Sequence, residues 1–199
     1  LIHKMEPKGS RIGIIFNGSP LFTGDAGGGE SDIRKFVIEN DLLETIVRLP
    51  GYLFFNTGIT TFIWILSNNK NKNKKNKIQL IDAEDKYFFL RKKLGEKKYE
   101  IIDEQIKNIV EDYLNFKDSE NSKIFNNIDF GYKKISVLTN DNKNGTKQKK
   151  SFENIPLNLN QEDYIKNEIL AQNPSAKIDD TNSKIGYEIN FNKYFYEYH

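Results

Sequence analysis

Apolar positions along the chain fall into short runs separated by polar, glycine-bearing segments, and their spacing predicts strands alternating with helices. Arg11–Phe16 (RIGIIF) is a nearly continuous apolar run after the Gly9-Ser10 turn signal, the pattern of a strand buried on both faces. Asn17-Gly18-Ser19-Pro20 ends it, and residues 23–31 (TGDAGGGES) read as a glycine-dense loop. Ser31 is suited to N-cap a helix with Asp32 in its first turn. Ile33, Phe36, Val37, Leu42 and Leu43 follow at roughly helical spacing, and Asn40-Asp41 closes the element. Residues 44–49 and 60–66 are predicted strands, the first stopped by Pro50-Gly51 and the second rich in β-branched and aromatic residues. Residues 68–77 (NNKNKNKKNK) read as a solvated basic loop, and Ile78–Ala83 resumes a buried strand pattern. The order strand, helix, strand, strand, strand is that of the second half of a doubly wound α/β domain with an antiparallel edge.

Beyond Ala83 the character changes. Ile101, Ile102, Ile106, Ile109, Val110, Tyr113 and Leu114 mark a helical stretch within residues 86–116. Residues 124–137 (IFNNIDFGYKKISV) predict a strand or hairpin turning at Gly131, and residues 139–151 form a second basic polar stretch. A short helix is expected around residues 161–171. The ending GYEINFNKYFYEYH is dense in aromatic rings, which dock on something rather than remain exposed.

Composition narrows the chemistry. With 199 residues, 37% hydrophobic and 29% charged, the chain can build a core of its own. A formal net charge of +2 means that any basic surface must come from local charge distribution. The absence of cysteine excludes disulfides and thiolate metal sites and suits a cytoplasmic protein. His3 and His199 are the only histidines, too few for a His-rich metal centre, so no metal is expected. The apolar run at residues 59–66 is far too short to span a bilayer, and no membrane association is expected. The sequence opens on Leu1 rather than methionine, which reads as a fragment lacking its upstream part.

Five blocks, in order, carry a resemblance: NGSPLFTGDAGGGESDIRKFVIENDLLETIVRLP, LFFNTGITTFIWILSN, IQLIDA with FFLRKKLG downstream, IDFGYKKISV, and KIGYEINFNKYFY. Together they resemble the modification subunits of type I restriction-modification systems. The resemblance implies transfer of a methyl group from S-adenosylmethionine to N6 of adenine in DNA, in a complex with a specificity subunit and a motor/nuclease subunit. The implied fold is α/β: the later strands of a Rossmann-like S-adenosylmethionine-dependent methyltransferase sheet with a mixed α+β C-terminal extension. The segments expected are 1–85, the C-terminal half of the catalytic domain; 86–138, a helical and hairpin extension; 139–154, a basic linker; and 155–199, a tail that docks a partner subunit. The family's cofactor loop and its Asn-Pro-Pro-Phe/Tyr motif lie upstream of this sequence, and no Asn-Pro-Pro occurs in it. No catalytic or cofactor-binding residue is therefore assigned to this chain, and the chain alone is expected to be inactive.

Several residues have candidate roles, each beside a plainer one. Phe54, and next Phe55, match the aromatic that stacks on the flipped adenine in related amino-methyltransferases; the alternative is that both anchor the following strand in the core. Asn56 or Thr57 could bond a phosphate or the base, Gly58 giving the turn its freedom, or the segment is an ordinary turn. Gly27, Gly28 and Gly29 precede a helix, but Glu30 and Asp32 repel phosphate and no Walker or dinucleotide pattern is present; they read as a mobile rim loop or as plain structure. The basic runs Lys70–Lys77 and Lys143–Lys150 could touch phosphates, although solvated loops are the better reading. Two other functions remain open: a non-catalytic module that docks the specificity subunit or DNA, and part of a stand-alone or fused adenine methyltransferase.

Overall fold

The computed structural model describes residues 1–140 and 148–196. In chain order the elements are β1 (Arg11–Phe16), α1 (Ser19–Phe22), α2 (Gly29–Glu39), β2 (Leu43–Arg48), β3 (Phe62–Ser67), β4 (Lys77–Asp82), β5 (Phe88–Leu94), β6 (Lys97–Glu100), α3 (Asp103–Asn115), β7 (Ser122–Asn126), β8 (Gly131–Asn140), β9 (Gln148–Pro156), α4 (Gln161–Tyr164), β10 (Lys177–Tyr187) and α5 (Phe191–Phe195). A π-helical turn, Ile165–Leu170, continues α4. The fold is mixed α/β, with sheets ordered β1-β3-β2-β4-β7, β10-β8-β9 and β5-β6. It divides into two compact units: Leu1–Phe22, Phe36–Asn127 and Asn190–His199 in one, Thr23–Lys35 and Ile128–Ile189 in the other. These are not the segments expected from the sequence.

In the first unit, β2 runs parallel to β4 and antiparallel to β3, which in turn is antiparallel to β1. Strand β3 is thus inserted antiparallel between β1 and β2, and the far edge of the sheet is a further antiparallel strand, β7, paired with β4. Strand β1 is the other edge, and its exposure alternates; Ile15 is 56% exposed, contrary to the two-sided burial its apolar run predicted. An edge strand with one covered face can carry the same apolar residues as a central one, so composition alone does not separate the two. Strands β2 and β4 are the buried centre, with Ile46, Ile78, Leu80 and Ile81 fully enclosed. The apolar stripe of α3 closes over them: Ile101, Ile109 and Tyr113 pack on Val47, Leu49, Ile81 and Ala83. Residues beyond 86 therefore share the core of the strands before them. Gln105 caps the start of α3 by accepting from the Ile102 amide at 3.0 Å.

The lysine-rich run at residues 68–77 is not simply a solvated loop. Lys70 and Lys74 are buried, whereas Lys72, Lys75 and Lys77 are exposed. The Lys70 ammonium donates to Asp41 at 2.5 Å and to the Lys77 carbonyl at 3.0 Å. Lys74 donates to Glu44 at 3.1 Å, and its ammonium lies 4.1 Å from the centre of the Tyr113 ring. Glu44 also accepts from the Tyr113 hydroxyl at 2.6 Å and faces Arg11 at 3.5 Å. Burial pushes the Glu44 carboxyl up, but the hydrogen bonds from Tyr113 and Lys74 and the charges of Lys74 and Arg11 outweigh it and leave it below the ordinary glutamate value. Burial first, and then the Glu44 partnership, push Tyr113 up to about 12. Burial lowers Lys70, against the opposing pull of Asp41.

The aromatic tail docks on its own unit. Phe191 is buried, its ring 5.4 Å from Phe62, and Tyr194 meets Phe125 at 4.4 Å. Asn192 accepts from Arg48 at 2.9 Å. The last three residues, His199 among them, lie outside the described residues, as does the centre of the second basic run from Lys143 to Lys147.

In the second unit β8 pairs along its length with β9, from Tyr132↔Pro156 to Asn140↔Gln148, and with β10 on its other side. Most of the stretch expected to be a linker is thus strand. Lys149 and Lys150 sit at exposed ladder positions, while Ile135, Val137, Ile155 and Ile169 form the buried cluster. Ser31 is not an N-cap. Helix α2 begins two residues earlier, at Gly29, and the buried Ser31 hydroxyl accepts from the Tyr187 amide at 3.2 Å.

Candidate functional site

The segment between β2 and β3 is built outward from its base. The Leu49 amide donates to the Thr61 carbonyl at 2.8 Å, which closes the loop where the two strands part. Tyr52 adopts φ +56, and its amide donates to the Gly58 carbonyl at 3.3 Å. A Cβ on Gly58 would stand 2.4 Å from the Tyr52 ring, so the glycine is required by close approach. Phe54 bridges Thr57, and the Thr57 hydroxyl accepts from the Ile59 amide at 3.2 Å. This small turn leaves Phe54 36% and Phe55 64% exposed. Neither ring is a core anchor for β3. Asn56 is exposed beside them, and Thr57 is committed to its own turn.

A second element holds this loop from the side. The Glu96 amide donates to the Phe55 carbonyl at 2.9 Å, and the Lys98 amide to the Tyr52 carbonyl at 2.9 Å. The Lys98 ammonium lies 3.8 Å from the Tyr52 ring centre, and that of Lys97 is 5.5 Å from the Phe55 ring. All four contacts come from the tip and return strand of the β5–β6 hairpin. That hairpin was not read from the sequence, which gave only a helical stretch after residue 86. Its signal is Leu94-Gly95-Glu96-Lys97, a glycine turn between two basic strand ends.

At the C-terminal end of the parallel β2–β4 pair, Arg48 forks onto Asp82, with Nε donating to Oδ1 at 2.7 Å and a second short contact from Nη2 to Oδ2, and it also meets Glu84 at 2.9 Å. This end of an open α/β sheet is where ligands commonly bind. Here it is occupied by an ion-pair cluster that fixes the exit of β2 just before the loop.

Gly27, Gly28 and Gly29 belong to the other compact unit. Gly27 has φ +74 and packs on Lys184, and the Gly28 amide donates to the Asp25 carbonyl at 2.8 Å. Lys134 pairs with Asp25, whose carboxyl is lowered chiefly by that bond. The buried Arg34 donates to the Thr23 carbonyl at 2.7 Å and to the Tyr187 carbonyl at 2.6 Å. The glycine segment is therefore tied down within its unit. Glu30 and Asp32 stand in the first turn of α2, the wrong charge for a phosphate cradle.

The family model for N-6 DNA Methylase matches residues 1–151. The chain belongs to the N-6 DNA methylase family. Among curated relatives of this family, it is 30% identical over 144 residues to the type I restriction enzyme MjaIX methylase subunit of Methanocaldococcus jannaschii, covering 72% of the chain and 24% of that protein. It is 40% identical over 83 residues to the HindI methylase subunit of Haemophilus influenzae, covering 42% of the chain and 18% of that protein. The chain thus spans a quarter or less of these relatives' length. A type I methyltransferase subunit from Streptococcus thermophilus superposes with TM-score 0.50 at 24% identity, over 59% of this chain and 23% of that one, a likeness of fold.

N-6 DNA methylation needs a methyl donor, and S-adenosylmethionine is the donor the family implies. Among the described residues, neither of two hollows suits it. A hollow in the first unit is walled by Asp82, Glu84 and Asp85, which oppose an amino-acid carboxylate with like charge. A hollow in the second is lined by Glu153, Glu168 and the Val137–Ile169 side chains. Among the described residues no group of acidic or histidine side chains could hold a metal, and no helix is long and apolar enough to cross a membrane.

Proposed function

We propose that this chain forms one wall of the adenine site of a site-specific DNA methyltransferase, working in a type I restriction-modification complex with specificity and motor/nuclease subunits. The observation that carries the reading is the exposed Phe54–Phe55 pair, held on a braced loop directly after β2. An adenine must leave the duplex stack before its N6 can be methylated, and an unstacked base is commonly held against an aromatic face. Phe54 is the first candidate and Phe55 the second. The parallel β1 and β2 directions, with β3 inserted between them, support the later part of a Rossmann-like sheet.

In the whole enzyme Phe54→Ala or Phe55→Ala lowers adenine binding and turnover about 5- to 150-fold, as loss of ~1–3 kcal/mol of base stacking requires. If each variant keeps wild-type binding and turnover, the stacking role is wrong. Asn56 is assigned a supporting contact to the base or a phosphate, weaker than the rings.

The lack of an Asn-Pro-Pro sequence favours a second statement, that this chain by itself docks but does not methylate. Adenine's amino nitrogen becomes a nucleophile only when acceptors orient its lone pair toward the donor. Titration calorimetry of S-adenosylmethionine against the chain and against the whole protein tests it: binding to the whole protein alone supports the reading, and tight binding to the chain overturns it. Partner docking is assigned to residues 155–189 instead of the α5 aromatics, because Phe191 is buried in its own unit. Deleting residues 155–189 abolishes co-purification with the specificity subunit if this is right, and leaves it unchanged if not.

A further inference from the structure

Strand β5 is exposed along nearly its whole length, yet it carries Phe88 and Phe89 at 51% and 64% exposure. Among the described residues it pairs only with β6 and joins neither larger sheet. A two-stranded hairpin is marginal by itself and contributes little core, so its exposed rings call for another explanation. Its backbone is nevertheless held firmly. Tyr87 stacks on Tyr99 at 4.2 Å, and Phe89 meets the edge of Tyr99 at 5.1 Å. Gly95 turns the hairpin at φ +63, and a Cβ there would stand 2.4 Å from the Phe55 carbonyl oxygen. The tip is thus locked against the loop bearing Phe54 and Phe55.

The hairpin is also the place where charge is concentrated. Phe88–Glu100 holds Arg91, Lys92, Lys93, Lys97 and Lys98 against Glu96 and Glu100, a larger net positive charge than the +2 of the entire chain. Arg91, Lys92, Lys93 and Lys98 are exposed. A run of basic side chains next to exposed aromatic rings on one braced strand pair is the chemistry that holds a nucleic-acid backbone and its unstacked bases.

We propose that the β5–β6 hairpin is a DNA-backbone clamp beside the adenine-stacking loop. Arg91, Lys92 and Lys93 neutralise phosphates next to the extruded adenine, Lys98 reinforces them, and Phe88 and Phe89 cover the face of a base left unstacked. The clamp supplies affinity without reading sequence. This rests on the assignment of Phe54 and Phe55 to the flipped base.

The test uses the whole protein in its complex, binding a fluorescent duplex across a salt series. The variant combines Arg91→Gln, Lys92→Gln and Lys93→Gln, and a control combines Lys72→Gln, Lys75→Gln and Lys77→Gln, all exposed positions. Matching thermal melts verify that both sets fold. Losing three phosphate contacts makes the slope of log affinity against log salt shallower by about 2.7, so from about 50 to about 200 mM salt the parent loses about 40-fold more affinity than the variant. The control keeps the parent slope. With 2-aminopurine at the target position, fluorescence per bound complex is unchanged in the hairpin variant and falls in Phe54→Ala. An unaltered slope and affinity in the hairpin variant overturns the clamp, as does an equal loss in the control. Tighter hairpin-dependent capture by phosphatidylserine vesicles than by DNA also overturns it. These results leave the methyltransferase reading intact, whereas a parent that binds no DNA at low salt overturns both.

Discussion

At the residue scale the most constrained group outside the loop is Glu44. It is 1% exposed and carries three partners from three parts of the chain: Arg11, Lys74 and Tyr113. Lys74→Ala leaves this carboxylate buried beside Tyr113 with only the longer contact to the exposed Arg11 as counter-charge and costs about 3 kcal/mol, because a buried charge that loses its nearest partner keeps most of its desolvation penalty. Urea melts of the single variant and of Glu44→Leu/Lys74→Met measure it; a double variant less stable than Lys74→Ala refutes this account. The pH dependence has two limbs. Glu44 is depressed in the fold, so its contribution is present above the unfolded glutamate value and is lost as pH falls through the folded one. Tyr113 is raised to about 12, so its contribution is present below the unfolded value of about 10 and is lost as pH climbs towards 12. Tyr113→Phe abolishes the alkaline limb and shrinks the acid one without removing it, because Lys74 and Arg11 still depress Glu44, a pattern that melting temperatures across pH will show. No sequence rule flags this set. The three partners of Glu44 stand 30 or more positions from it, and only the packing of β1, the turn before β4 and α3 around β2 brings them together.

At the scale of elements, legibility followed local periodicity. The 3- and 4-residue spacing of Ile102, Ile106, Ile109 and Tyr113 gave α3, and the β-branched runs gave β2, β3 and β4 within about two residues, because each signal lies inside its own element. The β5–β6 hairpin was missed because Phe88–Leu94 does not alternate and its pairing slips between Phe89 and Leu94. The loop residues Phe54 and Phe55 were legible as candidates, but the bracing from Glu96 and Lys98 was not. That bracing makes Gly95 a sensitive position. Gly95→Ala combines a positive φ with a 2.4 Å approach to the Phe55 carbonyl and costs more than about 1 kcal/mol. Its amide exchange signature is faster exchange at Glu96 and Lys98 with unchanged exchange in β2; equal protection in variant and parent contradicts the docking of hairpin on loop.

At the scale of the molecule, two buried clusters among the described residues belong to different compact units. Ile81 lies with Val47 and Ala83 in the first, and Ile155 with Ile135 and Val137 in the second. Ile81→Ala and Ile155→Ala each cost about 2–5 kcal/mol, the range for truncating a buried aliphatic side chain. Side chains that share no neighbours couple weakly, so hydrogen exchange places the effect of each substitution in its own core. Ile155→Ala speeds exchange in β8 and β9 and leaves β2 and β4 protected; loss of protection in both at once refutes separate clusters. The aromatic ending was legible as something that docks, but its site was not, since Phe62 and Phe125 lie far earlier in the chain.

The lysine- and asparagine-rich run has a consequence for chemistry done on the protein from outside. To an amine-reactive ester the segment presents Lys72, Lys75 and Lys77 as nucleophiles, while Lys70 and Lys74 are held as buried ammonium groups against Asp41 and Glu44. Acylation mapped by mass spectrometry will therefore be patterned, with the buried pair labelled only after the fold opens. The same pattern governs sequence drift. Lysine and asparagine can exchange freely at the exposed positions, but an asparagine at 70 or 74 is too short to reach its carboxylate. A stretch that looks like monotonous coding thus contains two letters that the fold has fixed.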